Sequence, residues 1–434
     1  MSSAEIAAGD AALAKGIDLG GVIALGLGTA VGVSIFSAMA PATALAGPGM
    51  LLSVAASAVP MYLIAISYAF LGSAAPVSGA SFVWPARFLH PALGFFIAWM
   101  RIIANMGAMI VLALVLVRYV SMVTPLPTKP TMFAVLLLCL LANLFGVGVA
   151  ARAQMVLLAL MLVLFGVFVV WGGAHVDLSA AGPLLPHGFR GVLAAAPLLM
   201  GLFFGIEAAT EAGGEVADSG RAIPLGIAIA IGSATLLYLA VAFVSLGVLG
   251  TPALASSQAP ILDAAKAFMG PLATPLVVLA AIMAIGTSLN AIFTLFSRSL
   301  FAMAQGGMMP AALARVHPKW KTPHIALLTV FGIACVGLLL PMQLTFLFLA
   351  VNIPNLLKYA SICFAAATVV KRHPDLYAKA MFRPSRGRML GFAYAGTICA
   401  LCLVFVGLAA DWRPYALLGV WAVIGIAIYL LRRR

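Results

Sequence analysis

MGLFFGIEAATEAGGEVADSGRAIP, residues 200 to 224, decides how this chain is read. It begins as an apolar segment fit to enter a bilayer, yet it carries Glu207 and Glu211 among Gly205, Gly213 and Gly214. A charge at the bilayer centre costs roughly 2.5 to 3.5 kcal/mol on insertion scales, so these carboxyls must be paired, protonated or turned toward a watery cavity. Glycines weaken the helix around them, and broken helices are accepted at membrane depth only where they line such a cavity. The stretch marks a working site within a membrane and points to a transporter.

The rest of the chain supplies the membrane. Of 434 residues, 64% are hydrophobic and only 8% charged, with a mean hydropathy of +1.17. A soluble domain carries about a quarter charged residues, whereas apolar runs of about eighteen or more mark spanning helices. Twelve spans are expected, at 20–46, 50–74, 92–123, 131–149, 153–172, 191–215, 224–249, 272–304, 324–341, 344–370, 390–410 and 413–431. They divide into an N-terminal segment (1–19), a first five-helix unit (20–172), a second (191–370), and a closing pair of helices with a short tail (390–434). Residues 1–19 contain Glu5, Asp10, Lys15 and Asp18 and no evident secretory signal.

The net charge of +13 does not indicate nucleic acid, because the basic residues sit in short connectors rather than on a folded face. Their sidedness sets the orientation. With an inside N-terminus, seventeen Lys and Arg fall on the inner side, and five, Arg118, Lys129, Arg190, Lys266 and Arg413, on the outer. That bias predicts that both termini are cytoplasmic. Cys139, Cys335, Cys363, Cys399 and Cys402 lie in apolar runs and read as small buried hydrophobes. No metal cluster, nucleophile triad or cofactor motif emerges, so no enzyme chemistry is expected.

A second interruption matches the first. Span 1 contains GLGTAVGVS, Gly26 to Ser34, and the offset from Gly28 to Gly205 is 177 residues. Span 3 begins at Ala92 and span 8 at Leu272, an offset of 180, as an internal repeat requires. Five spans per half is odd, so the second half runs inverted, and paired interruptions of this kind point to a transporter's midplane substrate site.

Several motifs occur in order. GTAVGVSIF is followed by AGPG at 46 to 49, then by PVSGASFVWPARFLHPALGFFIAW after span 2 and by NLFGVGVAARAQ at 143 to 154. FFGIEAATEAGGEVADSGRAIPLGI ends in Glu215, Val216, Arg221, Ile223 and Pro224, and SRSLFAMAQGGMMP then leads to HPKWKTP. In these motifs, from about Gly16 to Arg388, the chain resembles the amino acid, polyamine and organocation (APC) transporter family.

The resemblance implies an all-α membrane protein with a LeuT-like 5+5 inverted repeat, broken helices 1 and 6, and helices 11 and 12 appended. It implies a multi-pass protein of a bacterial-type cytoplasmic membrane, monomeric or homodimeric, whose partners are a small-molecule substrate and the lipid bilayer. Carried over by position, a substrate carboxylate lies on the amides of Gly32, Val33 and Ser34, and an amine near the carbonyls of Ala30, Phe203 and Phe204. Phe203 matches an aromatic gate, and Gly205, Asn290 and Ile292 complete the expected substrate-facing set. The chain departs from the family twice: Val33 stands where serine is common, with Ser34 replacing the second glycine, and Met161 stands where several members carry a coupling lysine.

The buried charges leave alternatives open. Glu207 is read as a proton carrier or cation ligand, or as a carboxylate bonding the unwound backbone of span 1. Glu211, on the same helical face four residues on, is placed near the inner gate. Glu215, Asp218 and Arg221 are expected to pair within the inner loop. Arg101 is read as meeting an anionic substrate or gate, as pairing with Glu207, or as snorkelling to the inner surface. Lys358, near the middle of span 10 beside Pro354 and Tyr359, is a candidate for proton coupling together with Glu207. Thr287, Ser288 and Asn290 of span 8 are expected to pack, since Ser and Thr commonly satisfy helix carbonyls, with a sodium site facing span 1 as the other reading.

The function expected is secondary active transport of an amino acid or a related small amine or carboxylate, by alternating access, proton-coupled or exchanging. A polyamine or cationic amino acid antiporter is the alternative, and a nutrient sensor on a transporter scaffold the alternative outside transport.

Overall fold

Asp18 starts the first helix: its Oδ1 accepts the Gly21 amide at 2.8 Å and satisfies a donor that the helix N-terminus leaves free. The computed structural model describes residues 16–32, 35–36, 38–144, 147–339, 344–408 and 412–432. Helix α1 (Leu19–Ala30) ends where Val31, at ψ 75°, leaves the helical region. The chain resumes in α2 (Met39–Ala46), which Gly47 closes at φ +58°. Then follow α3 (Met50–Ala74), α4 (Ala80–Phe88) and α5 (Pro91–Val120). Pro91 stands in the first turn of α5 with the His90 ring accepting the Ala92 amide, an N-terminal arrangement that suits a residue without an N–H.

Helices α6 (Thr128–Leu144), α7 (Val147–Gly173) and α8 (Gly188–Met200) lead to the second interruption. Beyond Met200 the backbone makes short 3-10 turns at 201–203, 208–211 and 213–215, with Phe204 extended between the first two. Long helices return with α9 (Ser219–Ser256), which bends at Gly250, then α10 (Pro260–Met269) and α11 (Ala273–Gln305). The remainder is α12 (His324–Gly337), α13 (Leu344–Arg372), α14 (Pro374–Lys379), α15 (Arg386–Leu408) and α16 (Arg413–Arg432).

Each of the twelve apolar segments therefore carries helix, but they are not alike in length. Among the described residues, eight helices or adjoining helix pairs are long and apolar enough to cross a bilayer. Four are shorter, at 19–30, 128–144, 188–203 and 324–337, and the first and third of these are the interrupted ones. Among the described residues there is no strand, only the isolated bridges Ile17 to Val216 and Ser78 to Ala212. This is an all-helical membrane protein.

Helix α5 is the buried post, packed by α13, α11, α4 and α6, and nearly all its residues are covered. Helices α15 and α16 expose most of theirs and form the periphery. Burial here does not follow apolarity, since lipid is as apolar as leucine. It follows packing and polar contacts instead. One such contact rivets α16 to α5: the Trp99 and Trp421 indoles stack at 4.5 Å, and each donates its N–H to the other's carbonyl at 2.8 and 2.9 Å.

Candidate functional site

The two interruptions meet. A Cβ on Gly26 would stand 2.7 Å from the Ile206 carbonyl oxygen, and one on Gly205, at φ +98°, would collide with the Thr29 side chain. Glycine at both places lets the end of α1 lie directly on the 201–206 backbone. Because α1 stops at Ala30 and the chain after Met200 is not α-helical, carbonyls and amides that a continuous helix would consume need other partners. Side chains from the surrounding helices supply many of them.

Around span 1 these partners are neutral. Thr287 and Ser288 of α11 donate their hydroxyls to the Gly28 carbonyl at 3.0 and 2.8 Å, and Ser288 also lies 3.3 Å from the Thr29 carbonyl. Gln154 Nε2 of α7 donates to the Ala24 carbonyl at 3.2 Å. Its Oε1 accepts from Asn290 Nδ2 at 2.9 Å, and Asn290 Oδ1 accepts from Asn143 Nδ2 at 2.8 Å. Thr294 donates to Asn143 Oδ1 at 2.7 Å. This chain of amides ties α1, α6, α7 and α11 together beside a cavity lined by Ile17, Leu25, Gln154, Asn290, Thr294 and Arg298.

Around span 6 the Tyr359 and Tyr238 hydroxyls serve the backbone, and the charges lie on the side chains of the break itself. Glu207, Glu211 and Glu215 each meet a cation from a different helix, and all six side chains are buried. Lys358 of α13 donates to Glu207 Oε1 at 2.5 Å, while Tyr359 donates its hydroxyl to Oε2 at 3.0 Å and accepts the Gly205 amide at 3.4 Å. Arg101 of α5 donates through one nitrogen to Glu211 Oε1 at 2.9 Å and to the Ser81 hydroxyl at 2.6 Å. Ser81 in turn donates its hydroxyl to Oε1 and its amide to Oε2 of Glu211. Arg298 of α11 grips Glu215 with two nitrogens, Nε on Oε1 and Nη2 on Oε2, the latter at 3.0 Å. Tyr68 lies alongside, its ring 5.9 Å from both Tyr359 and Trp84, with its buried hydroxyl lacking a protein partner.

Several expectations are corrected by this geometry. Arg101 pairs with Glu211 rather than Glu207, and at 4% exposure it does not snorkel. Glu215 does not pair within the inner loop, because Arg298, counted among the inner-surface cations, is itself buried and reaches it first. Glu207 and Glu211 do not share a helical face, since the turns at 208–211 and 213–215 replace the α-helix that would align them.

The remaining candidates divide. Phe204, Gly205, Glu207, Lys358 and Tyr359 stand together, with the Phe204 ring 5.7 Å from Tyr359. Phe203 is fully buried edge-on against Tyr238, whose hydroxyl donates to the Leu202 carbonyl at 2.7 Å. Ala30 is buried at the end of α1, and the Gly32 amide donates to the Ala30 carbonyl at 2.9 Å. Val33 and Ser34 lie outside the described residues. Asn290 belongs to the amide chain, and Ile292 is a half-buried packing residue. Sequence reasoning missed Ser81, Tyr68, Asn143, Gln154 and Thr294. The signal for the two amides was available, as each interrupts an apolar run.

Among the described residues no three His, Cys, Asp or Glu side chains gather as for a metal. The five cysteines are free thiols.

A bundle of apolar helices with two interrupted members in contact, and ionisable groups drawn to the second, is the build of a membrane permease. The amino acid permease family profile matches residues 21–431, nearly the whole chain, and the chain belongs to that family. It is 26% identical to the branched-chain amino acid permease BcaP of Bacillus subtilis, over 94% of this chain and 91% of that protein. It is 27% identical to the methylthioribose transporter of the same organism, with the same two shares covered. The aspartate-proton symporter of B. subtilis is 26% identical over 74% of this chain and 66% of its own length. The protein is a multi-pass membrane permease and not an enzyme.

Proposed function

We propose that the chain is a secondary active transporter that carries a zwitterionic or uncharged amino-acid-sized solute across a bacterial inner membrane by alternating access. In this reading twelve spans form two inverted five-helix halves plus a closing pair, with both termini cytoplasmic. The observation that carries the proposal is the contact between the two interrupted helices at Gly26, Ile206, Gly205 and Thr29. Helix ends brought together in this way can take the two poles of an amino acid.

The ion pairs argue for the solute's charge. Arg101 is engaged by Glu211 and Lys358 by Glu207, so neither cation is left over for an anion and neither acid for a polyamine. A solute of zero net charge adds no uncompensated charge to a low-dielectric site. Branched-chain amino acids and methylthioribose, for which two of the relatives are named, both fit this class. Coupling is assigned to Lys358 and Glu207, the pair joined to the Gly205 turn through the Tyr359 hydroxyl.

One observation favours a second reading, an acidic substrate: Arg101 Nε is buried without a partner and is a donor still to be used. Uptake of radiolabelled leucine, methylthioribose, aspartate and putrescine into proteoliposomes, with and without an inward proton gradient, separates the two. Leucine or methylthioribose uptake that rises with the gradient is the expected result. Aspartate uptake abolished by Arg101→Ala would establish the second reading, and ligand binding with no counterflow of any solute would overturn transport itself.

A further inference from the structure

The connector between α13 and α15 carries more charge than a turn requires. From Lys371 to Arg388 stand Lys371, Arg372, Lys379, Arg383, Arg386 and Arg388, with Asp375 the one acid, and all six cations are exposed. The ion pairs of the described residues are the three inside the bundle, so none of these six is neutralised by a carboxylate. Neutral groups hold three of them instead. Lys371 donates to the Tyr394 hydroxyl at 2.8 Å and lies 5.1 Å over that ring. Arg383 donates to the Ala378 carbonyl at 2.6 Å, and Arg386 lies 5.5 Å over the Tyr377 ring.

The connector is also anchored. Tyr377 donates to the Pro384 carbonyl at 2.6 Å, its ring packs on Phe70 of α3, and the Phe382 amide donates to Ser73 at 3.2 Å. The ring of Phe88, at the end of α4, meets His373, and Arg87 over the Phe88 ring brings a further exposed cation. Met381 lies over Gly220 of α9, where an added Cβ would stand 2.7 Å from its sulfur, and ties the connector to that helix. Retention of positive charge on the inner side needs only charge. It does not need cations held in place by aromatic faces and carbonyls.

We propose that this platform is a docking surface for anionic phospholipid, its anchored cations gripping headgroup phosphates. It directly follows one membrane helix and precedes another, so it stands at headgroup level, where clusters of four to eight Lys and Arg attract anionic lipid. The inner leaflet is the source of the lipid if the topology proposed above is correct.

The intact chain is reconstituted in phosphatidylcholine vesicles containing a minority of phosphatidylglycerol in both leaflets, then extracted, and its retained lipid is read by native mass spectrometry. The wild type is expected to retain phosphatidylglycerol several-fold above its share of the bilayer. R383Q/R386Q/R388Q should bring retention down to that share, and R372Q/K379Q should lower it in part. Far-UV circular dichroism reports whether each variant is folded. Retention at the bulk share by the wild type, or equal enrichment in the wild type and both variants, overturns the proposal. Loss of the bound lipid to added inorganic phosphate would reassign the surface to free phosphate and overturn it too. Because the readout is bound lipid in symmetric vesicles, it is independent of transport and of orientation, and its failure leaves the transport reading standing.

Discussion

The two interrupted helices are supported by opposite means. Span 1 is held by hydroxyls and amides from α7 and α11 on the carbonyls of Ala24 and Gly28, with no charge involved. Span 6 is held by three buried ion pairs, one each from α13, α5 and α11. A neutral hydrogen bond contributes about 1 kcal/mol net and exchanges partners readily, whereas stripping one member from a buried ion pair costs about 3 to 5 kcal/mol. Span 1 is therefore the adaptable wall of the site and span 6 the clamped one. Motion of span 6 requires a pair to part or a proton to move.

Breaking the clamp at its most buried point should have the largest effect. Arg298→Met leaves Glu215, with no exposed surface, without a counter-ion, and should cost about 3 to 5 kcal/mol in chemical unfolding in detergent. The double variant R298M/E215L should recover most of it. An unchanged unfolding midpoint in the single variant would show that the clamp bears no load.

Lys358→Met comes next, since Glu207 keeps its bond from the Tyr359 hydroxyl. A loss of about 2 kcal/mol is expected, together with uptake that no longer responds to an imposed pH gradient. A gradient response equal to that of the wild type would remove Lys358 from coupling. Smaller still is Ser288→Ala, which removes one donor from the Gly28 carbonyl while Thr287 keeps the other. It should cost about 1 kcal/mol and shift KM more than kcat. If Ser288→Ala proved as damaging as Arg298→Met, the contrast between the two breaks would collapse.

The smallest effect lies outside the bundle, at Asp177, which caps the turn at 178–181. Bonds from the hydroxyl and the amide of Ser179 hold its carboxyl below the usual carboxylate range. A depressed pKa gives stability that is present above the unfolded carboxylate value and is lost as the pH falls through the folded one. Asp177→Asn should flatten that slight acid-side loss and leave uptake untouched, as read from melting curves at neutral and acidic pH.

Much of the site was legible in the chain because membranes make charge conspicuous. Glu207, Glu211, Arg101 and Lys358 stand out in apolar runs whatever their partners, and glycines at 26 to 32 and 205 mark the breaks. The pairing was not legible. Arg101 lies on a helix within reach of either acid by spacing alone, and Ser81, which sits on Glu211 and helps select it, looks like any serine in a connector. Arg298 was counted with the surface cations because position along α11 does not tell depth, and Glu215 reveals its burial only in three dimensions.

By itself the sequence determined a helical membrane protein of the permease kind, with two interrupted helices and a few costly charges between them. Hydropathy and glycine placement are local properties, and the bilayer penalises every exception to them. Only the tertiary structure decided which acid meets which cation, that one break is neutral and the other charged, and that the basic connector is ordered without being neutralised. Each of these depends on side chains far apart in the chain brought within 3 Å or so, a distance that packing alone sets.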